Sequence, residues 1–278
     1  MKLKLTILCE NSVERVSPAG LIGEHGFACH LQTDQGDYLF DTGSGQGLLH
    51  NSKRLGIELG RLQGVILSHG HRDHTGGLLP LLEQVGPLPV YAHPNLFSQR
   101  FSLNGGEQRP AGIPWSQADL EQAGGIFHLS APAQKITPQL TASGEIPRID
   151  TVAGDHNLIV NDAAGNQKTD PLADDQSLYI TTEHGLVILL GCAHAGLFNI
   201  IEHAIQTTGQ RKIRLLLGGT HLKFCSAQQL TTTIERLAEY QIDKIGAAHC
   251  TGLLQAQKLA ESFGERFFFA SVGTEITL

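Results

Sequence analysis

The run Ser68-His69-Gly70-His71-Arg72-Asp73-His74-Thr75-Gly76-Gly77 constrains this 278-residue chain more than any other segment. It follows directly on Gln63–Leu67, an apolar stretch that reads as a buried strand. In an extended segment alternate side chains share a face, so the H-x-H spacing puts His69 and His71 on one side. The chain then turns, and Asp73 and His74 can face a second ion a few ångströms away. Imidazole suits zinc and similar borderline ions, and a carboxylate adds a harder ligand. The small residues Gly70, Gly76 and Gly77 allow the tight path.

These four side chains cannot fill two coordination spheres, and further histidines stand in matching places. Leu186–Leu190 runs into Gly191-Cys192-Ala193-His194, Ile213–Leu217 into Gly218-Gly219-Thr220-His221, and Lys244–Ala247 into Ala248-His249-Cys250. A strand, a small residue and then a histidine, repeated, is what a site at one sheet edge requires. His194, His249 and His221 therefore join the candidate ligands. Cys192 is a possible thiolate ligand, against a buried inert thiol, and Asp175 a possible carboxylate ligand, against an ordinary turn residue.

Around these motifs short apolar strands alternate with helical stretches. Lys2–Cys9 reads as a first strand. Phe27–Thr33 and Asp37–Phe40 flank a hairpin turn at Gln35-Gly36, and Gly77–Val85 reads as a helix before the strand Val90–Ala92. From Phe101 to about Asp174 the pattern weakens, apart from a helix starting at Ser116 with Asp119 as its capping-box partner. So long an irregular stretch is uncommon in a compact domain unless it has a task; the expectation is a cap over the metal edge, against an ornate surface excursion. Regularity returns with the strand pair Ser177–Thr182 and Leu186–Leu190. Helices at Leu197–Thr207, Ser226–Tyr240 and Gln255–Phe263 then alternate with strands at Ile213–Leu217, Lys244–Ala247 and Arg266–Ala270. Two packed sheets with helices outside follow from this order.

With 41% apolar and 17% charged residues the mixture is that of a globular protein, and no segment approaches the roughly 20 apolar residues of a membrane span. The first residues alternate and are too short for a signal peptide's apolar core, so a cytoplasmic protein is expected. The five cysteines form no C-x-x-C pair, which fits reduced thiols. A formal charge of −7 with no basic run argues against nucleic acid as partner and for a small-molecule substrate. A homo-oligomer stays open.

The H-x-H-x-D-H run resembles the signature of the metallo-β-lactamase superfamily. The resemblance implies a single α/β domain over residues 1–278, a four-layer αββα sandwich with one or two metal ions at one edge of its two sheets. Asp41-Thr42-Gly43 resembles the superfamily's early aspartate motif, in which the aspartate orients the histidine loop. Glu24-His25-Gly26, Ser143-Gly144-Glu145-Ile146-Pro147-Arg148, Asp174-Asp175-Gln176-Ser177 and the three strand-end histidine motifs resemble one branch. That branch is named for 7,8-dihydropterin-6-methyl-4-(β-D-ribofuranosyl)aminobenzene-5'-phosphate synthase. One departure stands out: where the superfamily usually has a metal-bridging aspartate, the strand ends here carry Cys192, His194 and His221.

A divalent ion, zinc in the first instance with iron or manganese as alternatives, lowers the pKa of its water to about 7. The expectation is a hydrolase or transferase acting on a small anionic or pterin-like molecule. Asp73 is the catalytic candidate, handling protons beside the second metal position. Arg72 and Arg148 are candidates to hold an anion, and Glu24 and His25 to line the pocket. A phosphodiesterase or nuclease of the same fold is one alternative. A non-catalytic iron redox protein is another, although no appended flavodoxin-like domain is legible.

Overall fold

The computed structural model describes residues 2–150, 157–162 and 165–278. The chain opens with β1 (Leu3–Cys9), β2 (Ala28–Thr33) and β3 (Gly36–Phe40), antiparallel in sequence. The β2–β3 pairing puts Thr33 opposite Gly36, so the turn centres on Asp34-Gln35, one residue before the expected Gln35-Gly36. Helix α1 (Gly47–Leu55) leads to β4 (Leu62–Ile66), and α2 (Arg72–Thr75) and α3 (Leu78–Val85) lead to β5 (Leu88–Ala92). β6 (Arg100–Asn104) and β7 (Glu107–Pro110) form a hairpin, and α4 (Gln117–Gln122) precedes β8 (Gly125–Leu129). Ser116 and Asp119 make the expected reciprocal cap of α4.

The second half begins with β9 (Gln134–Lys135), β10 (Leu140–Ala142), β11 (Leu158–Asn161) and β12 (Gln167–Thr169). Next come β13 (Leu178–Thr182), β14 (Gly185–Leu190), α5 (Leu197–Thr208) and β15 (Ile213–Gly219). The chain closes with α6 (Ala227–Glu239), β16 (Ile245–Ala248), α7 (Leu253–Phe263), β17 (Phe267–Phe269) and β18 (Glu275–Thr277).

Among the described residues these strands make three sheets. Two have seven strands, ordered β18-β1-β2-β3-β4-β5-β8 and β17-β16-β15-β14-β13-β10-β9; the third is the small sheet β12-β11-β6-β7. Strand alternation explains the layers. In β14, Leu186, Ile188 and Leu190 pack outward under the helices, while Val187 and Leu189 face the other sheet. In β3 and β4, Tyr38, Phe40 and Ile66 face the middle, while Leu39 and Val65, with Leu67 just after β4, pack outward under α1, α3 and α4. Both faces of these strands are buried, so they read as nearly continuous apolar runs. The result is helices, sheet, sheet, helices.

The weak stretch from Phe101 to Asp174 is not one excursion, which corrects the sequence expectation. Its middle returns to the sandwich, β8 beside β5 and β10 beside β13. The small sheet is built from its two ends, and residues 151–156 and 163–164 of the stretch lie outside the described residues. Arg100 anchors this sheet. Its side chain is buried, donating from Nε to Asp170 at 2.7 Å and from Nη2 to Asp174 at 2.6 Å. The other oxygen of Asp174 accepts from the Gly70 amide at 2.7 Å, which ties the small sheet to the histidine loop.

Candidate metal centre

β4 ends at Ile66, and Leu67-Ser68-His69 carries the chain out of the first sheet at the same edge where β14, β15 and β16 leave the second. Four non-glycine residues at these strand ends hold left-handed backbone: Asp41 at φ 60°, Ala193 at 58°, His221 at 58° and His249 at 49°. Such conformations cost roughly 1–3 kcal/mol each and persist where the surroundings fix them, often at functional sites.

Asp41 is fully buried and organises the histidine loop. Its Oδ1 accepts from the Ser68 amide, and its Oδ2 accepts from the Ser68 hydroxyl and lies on His74 Nδ1, all at 2.7 Å. Ser68 Oγ in turn sits 2.9 Å from His69 Nδ1. With one ring nitrogen engaged in each case, His69 and His74 turn the other toward the shared edge. Close packing holds the loop down. A Cβ on Gly191 would fall 2.1 Å from Ser68 Oγ, and one on Gly26 would fall 2.3 Å from the Asp73 carbonyl.

Among the described residues four groups of donor atoms result, each with its atoms within 4.8 Å of one another: His69, His71 and His194; His69, His74 and Cys192; His25, Asp73 and His249; Cys192, His221 and Cys250. His69 Nε2 lies 2.9 Å from His71 Nδ1. Asp73 Oδ2 lies 3.2 Å from both His25 Nε2 and His249 Nε2. Glu10 accepts from the His249 amide at 2.8 Å, and Asn11 Oδ1 lies 3.1 Å from His249 Nδ1, so the segment just after β1 holds the histidine that follows β16.

Burial, then the neighbouring histidines, hold His69 well below its ordinary pKa. Burial pushes His71 down to about 4 against the pull of Asp73. Burial also works against the charged form of His74, yet Asp41 and Asp73 carry it up to about 9. The Asp73 carboxyl resists its own burial and stays well below the usual range, because His74, His249 and His25 favour its charged form. The donor set fits a divalent ion. His71 Nε2 is buried without a hydrogen-bond partner among the described residues, and imidazole, carboxylate and thiol donors crowd one edge. His69, His71 and His194 would hold one ion, and His25, Asp73 and His249 would hold a second.

A pocket of about 610 Å³ opens on this edge. His71, Asp73, His194 and His249 form its floor, with Cys192, His221 and Cys250 beside them. Ser102, Leu103, Asn104 and Leu158 of the small sheet also line it, together with Arg72 and Lys223.

Several residues singled out in the sequence stand elsewhere. Asp175 belongs to none of the four donor groups. It is buried, and its Oδ2 accepts from the Ala195 amide at 2.8 Å, so it supports the loop carrying His194; burial pushes its carboxyl up to about 7. Arg148 does not line the pocket, and donates to the Leu172 carbonyl at 2.7 Å. Glu24 turns to the start of α1, where it accepts from the amides of Gln46, at 2.8 Å, and Gly47. His25 lines the pocket but stands among the donors rather than apart from them. Cys250 and Lys223 escaped sequence reading. Cys250 adjoins His249, a signal that was available; nothing local marked Lys223.

The metallo-beta-lactamase superfamily model matches residues 27–249. The chain belongs to that superfamily. It is 29% identical over 276 residues to 7,8-dihydropterin-6-methyl-4-(beta-D-ribofuranosyl)-aminobenzene-5'-phosphate synthase of Methanocaldococcus jannaschii, covering 95% of this chain and 93% of that one. The crystal structure of Tm1679, a metal-dependent hydrolase of the beta-lactamase superfamily, superposes with a TM-score of 0.85 at 26% identity over 99% of both chains. The metallo-beta-lactamase fold protein YhfI from Bacillus subtilis shares the fold at a TM-score of 0.57 and 17% identity, over 100% of both chains. A fold of this superfamily implies divalent metal binding, in keeping with the donor groups at the sheet edge. No described helix is long and apolar enough to cross a membrane.

Proposed function

We propose that the protein is a metal-dependent enzyme, a hydrolase or group transferase, acting on a small anionic substrate with an aromatic, pterin-like part. One observation carries this reading: His71, His194, Asp73 and His249 share a single pocket with Arg72 and Lys223. When bound, a divalent ion supplies Lewis-acid polarisation and a nucleophilic water at neutral pH. The chain supplies the rest. Arg72 and Lys223 hold the anionic group, and Leu103, Leu158 and the exposed ring of Phe224 give an apolar wall for a flat ring. Asp73, partly open to the pocket, orients the attacking group by accepting its hydrogen bond.

The small sheet acts as the cap, narrowing the pocket to small molecules and keeping water from the reacting atoms. The name of the Methanocaldococcus jannaschii relative, the synthase of a phosphate that carries a dihydropterin, supports the substrate class. The test is a panel of phosphate monoesters and diesters, a lactone and a dihydropterin diphosphate, offered to zinc- and manganese-loaded protein. Turnover of small anionic substrates is expected. Lys223→Gln should raise KM about tenfold, from loss of about 1.5 kcal/mol in a charged hydrogen bond, with metal content unchanged. Cleavage of polymeric nucleic acid with no turnover of small substrates would overturn the reading.

A further inference from the structure

Two thiols and an imidazole stand beside the histidine set, on three different strand ends. Cys192 follows β14, His221 follows β15 and Cys250 follows β16. Their donor atoms lie within 4.8 Å of one another. Both thiols are almost fully buried, yet both reach the wall of the pocket. The loops that present them are fixed. Thr220 and Thr251 hydroxyls meet at 3.0 Å, and His221 and His249, next to Cys250 in sequence, hold left-handed backbone. A Cβ on Gly219 would fall 2.6 Å from Cys250 Sγ, so only glycine leaves room for the second sulfur. Cys192 Sγ lies 3.2 Å from His74 Nε2 and groups with His69 and His74 as closely as with His221 and Cys250. It is the donor that joins the two sets. Among the described residues no donor group sets a carboxylate beside these thiols, and Asp175 accepts through Oδ2 from the Ala195 amide.

We propose that Cys192, His221 and Cys250 form a thiolate-bearing metal site continuous with the histidine set, selecting a thiophilic divalent cation such as zinc over a hard one such as manganese. The proposal rests on the histidine set being a metal centre. Thiolate ligands favour zinc, while oxygen-rich sites suit manganese and magnesium. Each thiol that ligates loses its proton to solvent as its sulfur–metal bond forms.

The test is cobalt(II) titration of metal-free protein, read by absorption. Sulfur ligation gives an intense near-ultraviolet thiolate-to-cobalt charge-transfer band that imidazole and carboxylate ligands do not give. The expected result is such a band, weakened in Cys192→Ser and in Cys250→Ser, unchanged in Cys225→Ser, and abolished by zinc but not by an equal concentration of manganese. Circular dichroism checks that each variant folds. Cys192→Asp, which keeps a donor in place, should bind cobalt with a weakened band. Where a variant does not fold, the wild-type spectrum decides. Bound cobalt with visible d–d absorption and no charge-transfer band would overturn the thiolate site and leave the histidine centre standing. No bound cobalt at all would overturn both.

Discussion

Asp41 shows how far one side chain shapes the centre. Its two oxygens accept from the Ser68 amide and hydroxyl and hold His74 Nδ1, so it fixes both the path of the loop and the tautomer of a ligand. Asparagine has one acceptor oxygen in place of two and cannot satisfy all three groups. Asp41→Asn should therefore fold but bind zinc about 10–100-fold more weakly, the usual scale for losing such a support. Competition with a chromophoric chelator measures this; wild-type affinity would show that the loop orients itself. Asp73 differs, because its carboxylate faces the pocket and meets His25 and His249. Asp73→Ala should abolish turnover while circular dichroism stays native; retained turnover with native metal content would remove Asp73 from the mechanism. At this scale the histidines were legible because their signal is local, a few residues after a strand. Lys223 and the packing of His25 against Asp73 were not, because they arise only when separate strand ends meet.

The small sheet is the element that sequence patterning conceals. β7 is exposed at every position, and β12 likewise, so neither shows the apolar alternation that marks a half-buried strand. β18 is three residues long and pairs with β1 from the far end of the chain, which no local pattern reveals. By contrast β14, β15 and α5 were legible, as buried strands and an apolar helix face. What holds the small sheet to the histidine loop is Arg100, with Asp170 on one nitrogen and Asp174 on another. Removing one partner of a buried ion pair leaves the other charge unpaired and costs about 3–5 kcal/mol. Arg100→Met should lower stability by about that amount in denaturant titration. Arg100→Lys should recover only part, since a point charge cannot replace the two-pronged guanidinium. A loss below about 1 kcal/mol, the scale of surface pairs, would mean that the small sheet stands without this anchor.

At the scale of the whole molecule the donors come from both large sheets. His69, His71, Asp73 and His74 follow β4 of the first, while Cys192 and His194 follow β14 of the second and His249 and Cys250 follow β16. Glu10, at the end of β1, grips the His249 amide across the same edge. An ion bound there links the two halves of the sandwich and is held by the folded chain alone, since unfolding scatters its ligands. A ligand at 100 times its Kd adds about 2.7 kcal/mol to the stability of the state that binds it. For a chain of this size 1 kcal/mol moves Tm by roughly 2–4 °C. Stripping the metal should then lower Tm by roughly 5–10 °C, and returning zinc should restore it, whatever the catalytic state of the protein. Because one binding event spans both sheets, the loss should appear as a shift of the whole transition in scanning calorimetry. An unmoved Tm in protein shown by elemental analysis to carry zinc would mean that the two sheets meet without help from the ion, and that the strained strand ends are held by packing alone.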